Sequence, residues 1–145
     1  MARSLQVIGD WWSLLIIRDA FRGKGRFSEF QKSLGLAKNI LSSRLKKLVD
    51  EGILQIAMED GTATYNRYIL TEKGERLYII LAALWQWGEQ NCSQEGELTY
   101  AMVDRQNMEP LAKLELMARD GRVLGPRDFH TVARSELPGS KKRLK

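Results

Sequence analysis

The sequence predicts an α+β fold, because two kinds of hydrophobic pattern follow each other along its 145 residues. Apolar residues recur at helical spacing through residues 5–51, and two strand-like runs, 53–58 and 65–70, then flank a polar Asp-Gly tip. A winged helix-turn-helix has this order of elements, namely a helix, a short helix, a tight turn, a cationic helix and a hairpin. We expect a further dimerisation helix and a strand-rich C-terminal extension after it.

Two helices are predicted before the turn. The first spans residues 5–22, where apolar residues form a wide stripe, and Gly23 stops it. The second is short, residues 29–34, with Ser28 as its N-cap and Gly35 as its end.

The third predicted helix runs from Lys38 to about Glu51, after a tight Leu36-Ala37 link, and stops at Gly52. Its inward face is apolar and consists of Leu41, Leu45, Leu48 and Val49. Its opposite face is polar and mainly cationic, and it carries Asn39, Ser43, Lys46, Lys47 and Asp50. Ser42, Ile40 and Arg44 lie on its flanks. Amides, hydroxyls and cations are the groups that contact base edges and phosphates.

Positive charge is concentrated in the segment 22–47. The chain has 23 basic and 18 acidic residues and a net charge of +5. The segment alone holds +7, with Glu29 as its one acidic residue, so the remainder of the chain sums to −2. A solvated helix face usually mixes both signs, and this distribution favours a polyanion-binding surface.

We therefore predict a DNA-binding site on the helix-turn-helix and hairpin. Phosphates would be held by Arg22, Lys24, Arg26, Lys46, Lys47 and Arg67. Base edges would be contacted by Lys38, Asn39, Ser42, Ser43 and Arg44. The alternative is a winged-helix protein-interaction module that uses the same basic patch to dock an acidic partner.

The helix predicted after Thr71, ending near Gln90, is apolar nearly all round and must bury a second face. Dimerisation and burial under the protein's own C-terminal segment both account for this, and both can hold at once. The predicted dimer interface consists of Trp11, Trp12, Ile80, Leu81, Leu84 and Trp85. Tryptophans more often serve a core or interface than line a ligand site.

The sequence divides into a DNA-binding and dimerisation domain at 1–92, a strand-rich extension at 93–139 and a basic tail at 140–145. Strands are expected at 98–103 and 111–117, and an Asp-Gly hairpin at 118–122 leads into residues 123–124. The extension could be a ligand-sensing attachment, a partner-binding module or a structural cap over the dimer helix, which we favour. The tail is either a solubilising end or an arm that touches DNA.

Few residues are available for catalysis or metal binding. The chain has one cysteine, Cys92, and one histidine, His130, which excludes an intramolecular disulfide and any multi-cysteine or multi-histidine metal site. We expect no enzyme, metal or cofactor, a structural His130, and for Cys92 a partly buried thiol rather than a sensor. No run is long and apolar enough to span a bilayer, and a cytoplasmic, nucleoid-associated protein without a membrane partner is expected.

Over roughly residues 2–92 the chain resembles the HxlR-type family of bacterial winged-helix transcriptional regulators, which are distantly MarR-like. The motifs that carry the resemblance are Ala2-Arg3-Ser4-Leu5, Ile8-Gly9-Asp10-Trp11-Trp12, Leu14 to Arg18, Arg26-Phe27-Ser28-Glu29-Phe30, Leu41-Ser42-Ser43-Arg44-Leu45-Lys46-Lys47-Leu48, Glu51-Gly52-Ile53-Leu54 and Tyr68-Ile69-Leu70-Thr71-Glu72-Lys73-Gly74. The resemblance implies a homodimer that binds an inverted-repeat operator in double-stranded DNA. Members repress or activate nearby genes, sometimes in response to electrophiles or oxidants, and the sequence does not name an inducer.

Overall fold

The computed structural model describes residues 1–58, 66–92 and 99–137. The chain forms two compact units, Met1–Leu98 and Thr99–Lys145. The first unit contains six helices and one hairpin within its described residues: α1 (Ala2–Ile8), α2 (Trp11–Phe21), α3 (Phe27–Leu34), α4 (Lys38–Asp50), β1 (Leu54–Met58), β2 (Asn66–Leu70), α5 (Glu72–Glu75) and α6 (Tyr78–Asn91).

The predicted single helix over residues 5–22 is wrong, since the chain forms two helices that break at Gly9-Asp10. Asp10 has an extended backbone, and its carboxylate accepts a 2.9 Å hydrogen bond from the Ser13 backbone N–H. An aspartate at this position favours the start of a new helix, because its carboxylate accepts a hydrogen bond from a first-turn backbone N–H group that has no partner within the helix.

The short helix α3 begins at Phe27, so Ser28 lies inside it and is not the predicted N-cap. Glu29 takes over the capping instead. Its carboxylate accepts hydrogen bonds of 2.8 Å from the backbone N–H groups of both Gly25 and Arg26. The predicted end at Gly35 is confirmed, and this residue has a left-handed backbone with φ of 64°.

The third predicted helix is confirmed as α4, and its apolar stripe builds the core. Leu41, Leu45 and Leu48 are fully buried, whereas Val49 is only partly buried. They pack in one cluster with residues from α2, α3 and the start of the hairpin, namely Ile16, Ile17, Phe30, Leu36, Ile53 and Leu54. Because α4 buries one side so completely, the residues on its other side must face solvent.

The predicted hairpin is confirmed as the antiparallel pair β1–β2, with a register that runs from Leu54↔Leu70 to Met58↔Asn66. Its predicted tip, residues 59–64, lies outside the described residues. The base of the hairpin is fixed to the loop before α3, since the Tyr68 N–H donates to the Gly25 carbonyl at 2.8 Å.

The helix predicted after Thr71 is also two helices, α5 and α6, separated by Arg76-Leu77. The Thr71 hydroxyl accepts from the Gly74 N–H at 3.1 Å and donates to the Gly52 carbonyl at 2.6 Å, which pins α5 to the end of α4. At the break the backbone hydrogen bonds change from four-residue to three-residue spacing, since the Leu77 N–H donates to the Gly74 carbonyl at 3.0 Å. The hydrophobic pattern continues through the break and so could not reveal it.

The second unit has little regular structure in residues 99–137: strands β3 (Leu116–Met117) and β4 (Val123–Leu124) and a 3₁₀ turn at Arg134–Glu136. The predicted Asp-Gly turn is confirmed, and Gly121 in it has φ of 87°. The other strand predictions are wrong for residues 99–103 and 111–115, where one isolated bridge, Val103↔Pro110, is present. Proline has no N–H to extend this pairing into a ladder.

The one cysteine of the chain, Cys92, follows the last residue of α6. Its side chain is exposed, so the predicted partial burial is wrong. Among the described residues, no three His, Cys, Asp or Glu side chains are grouped so as to hold a metal ion. No helix in this part of the chain is long and apolar enough to cross a membrane.

Candidate nucleic-acid interface

The outer face of α4 combines cationic, amide and hydroxyl side chains on one exposed surface. Five of the predicted DNA-contacting residues are exposed there, namely Lys38, Asn39, Ser42, Ser43 and Lys46. Ile40 is 40% exposed among them, an apolar residue that the charge pattern alone did not select. The surface therefore offers hydrogen-bond donors, acceptors and one apolar side chain from a helix that the core holds in place.

Arg44 and Lys47 differ from these five, because the Asp10 carboxylate engages both of them. The Arg44 Nε lies 3.3 Å and the Lys47 Nζ 3.7 Å from the two Asp10 oxygens. Both cations are only about one-third exposed. Asp10 thus joins the beginning of α2 to the side of α4, and its single negative charge is shared between two cations of that helix.

Asp10 is ionised in the folded protein. Partial burial raises its pKa, but the hydrogen bonds from Ser13 and the charges of Arg44 and Lys47 outweigh burial and hold the pKa of Asp10 below its ordinary 3.8. The Ser13 hydroxyl, which is fully buried, donates to the second carboxylate oxygen at 2.6 Å.

A second acidic residue, Asp19 near the end of α2, engages the cations on either side of it in sequence. Its side chain is fully buried, and it accepts from Arg18 at 2.9 Å and lies 3.3 Å from the Lys24 Nζ. Burial raises the pKa of Asp19, but hydrogen bonds from Ser33 and Arg18 and the charges of Arg18 and Lys24 lower it overall. Lys24, predicted to bind phosphate, is therefore also tied to a structural carboxylate.

Arg67 of β2, another predicted phosphate ligand, contacts the loop between α2 and α3. Its Nη2 donates to the Gly23 carbonyl at 3.1 Å, across 44 positions of sequence. A Cβ atom on Gly25 would lie 2.7 Å from the Arg67 Nε, so a larger residue here would have to displace the Arg67 side chain. Arg67 consequently fixes the loop that carries Lys24 and Arg26.

The other predicted phosphate ligands lie closer to solvent. Lys46 forms an exposed i,i+4 ion pair with Asp50 at 2.8 Å, and this hydrogen bond raises the pKa of Lys46. Arg22, Arg26 and Lys38 are exposed. Lys32, a further cation of the segment 22–47, is exposed as well.

The first unit also has exposed apolar side chains on α1, α2 and α6. Of the predicted interface residues, Trp11, Ile80 and Leu84 are exposed, at 66%, 39% and 49%. Trp12 and Leu81 instead pack against the core, and Trp85 is half-buried. Four exposed residues were missing from the prediction: Leu5, Tyr78, Ile79 and Trp87.

A three-helix core with an attached antiparallel hairpin, presenting a polar and cationic third helix, defines the winged-helix class of DNA-binding proteins. The family model for the HxlR-like helix-turn-helix matches residues 7–96, and the chain belongs to that family. Several of its relatives are named HTH-type transcriptional regulators. The family match does not favour the alternative of a protein-docking module.

Individual relatives agree with this assignment. The chain is 37% identical over 90 residues to the uncharacterised HTH-type transcriptional regulator Rv3095 of Mycobacterium tuberculosis, covering 62% of this chain and 57% of the relative. The matched region thus spans little more than half the length of that relative. The crystal structure of PA1607, described as a candidate transcription factor, is 45% identical with a TM-score of 0.86 and 92% of each chain covered. PA1374 from Pseudomonas aeruginosa, described in the same way, is 34% identical with a TM-score of 0.67, covering 95% of this chain and 94% of that one.

The Asp10 contacts make a prediction about stability and pH. Asp10→Asn retains a side chain that can cap α2 but removes the charge that faces Arg44 and Lys47. We expect the free energy of unfolding at pH 7 to fall by about 1 kcal/mol, as measured by urea denaturation. Because the folded pKa is lowered, the wild-type advantage is present above about pH 4 and is lost as the pH falls through the folded pKa.

Glu75→Gln is the matched control, since it removes one negative charge from the exposed side of α5. It should change the unfolding free energy by less than about 0.5 kcal/mol. An Asp10→Asn protein as stable as the wild type at pH 7 would contradict a structural role for the carboxylate.

Proposed function

We propose that this regulator is a cytoplasmic homodimer that binds a near-palindromic operator by placing α4 of each protomer in the major groove. The observation that carries the proposal is the exposed row of amide, hydroxyl and ammonium groups on α4, opposite its fully buried leucines. A helix presented in this way has the dimensions and the chemistry that the major groove accepts.

The structure supports different roles for different residues of the predicted DNA-binding site. Lys38, Asn39, Ser42 and Ser43 stand on the exposed face of α4 and are the proposed contacts to base edges, with Ile40 available to a thymine methyl group. Arg22, Arg26, Lys32 and Lys46 are exposed and are the proposed phosphate contacts. We propose that Lys24, Arg44, Lys47 and Arg67 act mainly by positioning the loop and α4, because they are partly buried and a carboxylate or a backbone carbonyl engages each of them. Lys46 differs from them, because it stays exposed in its ion pair with Asp50.

The beginning of α4 adds a further phosphate contact to the proposal. Its N-cap residue is Ala37, whose methyl side chain cannot accept a hydrogen bond from the first turn. The first backbone N–H groups of a helix have no intrahelical partner, and in protein–DNA complexes they commonly donate to phosphate.

Homodimerisation is supported by the apolar surface of α1, α2 and α6. Five large apolar side chains of α6 are exposed, and Trp11 of α2 is exposed as well. Adjacent exposed apolar residues are typical of protein–protein interfaces. Two α4 helices related by a twofold axis and separated by about 34 Å, one turn of DNA, would match a near-palindromic site.

The direct test of DNA binding uses fragments of the source genome. Purified protein should retain a small set of fragments in an electrophoretic shift assay, and the complex should survive an excess of unrelated competitor DNA. The retained fragments should share a near-palindromic sequence. Binding that competitor removes entirely would support the basic patch as a dock for an acidic partner instead.

Two substitutions separate phosphate contacts from base contacts on such a fragment. Arg22→Ala should weaken binding to specific and unrelated DNA alike and reduce the slope of log K against log [salt] by about 1. Asn39→Ala should cost about 1–3 kcal/mol on the specific fragment and leave the salt slope unchanged.

The control for both is Arg127→Ala, which removes an exposed cation from the second unit. It should alter neither the affinity nor the slope. Equal losses on specific and unrelated DNA for Asn39→Ala would count against a base contact at this position.

A further inference from the structure

The Asp10 carboxylate holds two cations of α4 by charge rather than by hydrogen bonds. Its oxygens lie 3.3 Å from the Arg44 Nε and 3.7 Å from the Lys47 Nζ, whereas charged N–H groups donate to carboxylates at about 2.7–2.9 Å. The Arg44 Nε is buried and makes no hydrogen bond within the described part of the chain. Ser13 donates to both carboxylate oxygens, from its backbone N–H at 2.9 Å and from its hydroxyl at 2.6 Å. Arg44 thus has a charged partner but keeps an unused donor.

The carboxylate is fixed in position, whereas the two cations that face it are free to turn outward. Asp10 caps α2, and the Ser13 side chain that donates to it is fully buried. Arg44 and Lys47 have long side chains that are about one-third exposed, while the Asp10 side chain is 22% exposed. An anion at the surface can therefore draw the cations toward itself while the carboxylate stays in place.

Arg44 and Lys47 lie on one side of the helix that is proposed to enter the major groove. They are three positions apart in α4, and residues at this spacing are neighbours on a helix surface. The major groove is about 12 Å wide, so a helix inside it has a sugar–phosphate backbone along each of its sides. Phosphate oxygens carry negative charge and accept hydrogen bonds from arginine and lysine. In the proposed complex, phosphate and the Asp10 carboxylate are thus alternative partners for the same two cations.

Two other carboxylates beside the charged segment differ from Asp10. Asp50 and its partner Lys46 are both largely exposed, and ion pairs of this kind contribute little and are readily exchanged. Asp19 is fully buried, and the Nε and Nη2 of Arg18 donate hydrogen bonds to it at 3.0 and 2.9 Å. Asp10 combines a fixed position with cations of α4 to which it makes no hydrogen bond, so its contacts compete with DNA without being too strong to exchange.

We propose that Asp10 competes with DNA phosphate for Arg44 and Lys47 and so lowers the affinity of the protein for DNA of unrelated sequence. The inference rests on the proposed DNA binding and adds a residue that limits it. Phosphate contacts strengthen binding to any sequence, whereas base contacts depend on the sequence. A carboxylate that withholds two cations from phosphate reduces the sequence-independent part of binding, and the base contacts then supply a larger share of the affinity.

The test is a fluorescence-anisotropy titration of a labelled, unrelated DNA duplex with the full chain at a series of salt concentrations. Asp10→Asn keeps a side-chain oxygen that can cap α2 and removes the competing charge. We expect this variant to bind the duplex about fivefold more tightly than the wild type at roughly 0.1 M salt, with a slope of log K against log [salt] that is steeper by about 1. Asp10→Ser, which also places an uncharged cap at this position, should show the same gain.

Glu72→Gln is the matched control for the change in net charge. It removes the same negative charge and releases one cation, Arg76, from an exposed ion pair on α5. We expect its affinity for the unrelated duplex to stay within about twofold of the wild type. A second comparison introduces Asp10→Asn into a protein that already carries Arg44→Gln and Lys47→Gln. There the gain should vanish, because the two cations that the carboxylate withholds are no longer present.

The outcomes distinguish this inference from the proposed function. If the wild type retains genomic fragments but both Asp10 variants bind the unrelated duplex with the wild-type affinity and slope, or more weakly, the proposed function stands and the inference is overturned. An equal gain in Glu72→Gln, or a gain that persists without Arg44 and Lys47, overturns it as well. If the wild type binds neither genomic fragments nor the unrelated duplex, both fail. Tryptophan fluorescence during urea denaturation checks that each variant is folded under the binding conditions, since Trp11 and Trp12 directly follow Asp10.

Discussion

The packing of α4 against α2 and α3 is the constraint on which the rest of the structure depends. Leu41, Leu45 and Leu48 are fully buried against Ile16, Ile17 and Phe30. Because the helical period fixes which residues share a face, burial of these leucines also determines which residues of α4 face solvent. The same cluster receives Leu54, where the hairpin begins. The polar face of α4 and the position of the hairpin therefore follow from one hydrophobic core.

Two carboxylates organise the positive charge around this core. The segment 22–47 contains one acidic residue, but folding brings Asp10 and Asp19, from the two ends of α2, against four of the surrounding cations. Asp10, at the start of α2, contacts Arg44 and Lys47 and so limits the rotation of α4 about its axis. Five cations of the segment are exposed, namely Arg22, Arg26, Lys32, Lys38 and Lys46, whereas Lys24, Arg44 and Lys47 are partly buried beside the two carboxylates. This arrangement combines exposed cations with a fixed orientation of the polar face of α4.

The sequence predicted those elements whose hydrophobic period is unambiguous, namely α3, α4 and the hairpin. It did not predict the breaks at Gly9-Asp10 and Arg76-Leu77, because the apolar residues continue across both and the breaks depend on local hydrogen bonds. The outer face of α4 was predictable from helical geometry alone. The roles of Arg44, Lys47 and Arg67 were not, since their partners Asp10 and Gly23 are distant in sequence. In the second unit, Val-, Leu- and Met-rich runs resembled strands, yet most of them lack a pairing partner within the described residues.

In the proposed complex, two copies of α4 contact DNA on the same side, one helical turn apart. Hydroxyl-radical footprinting on a retained genomic fragment measures this directly, because it reports which sugars the protein shields. We expect two protected half-sites whose centres are about 10 base pairs apart, or a multiple of that spacing, related by the twofold axis of the palindrome. A single protected patch, or protection spread evenly along the fragment, would contradict it.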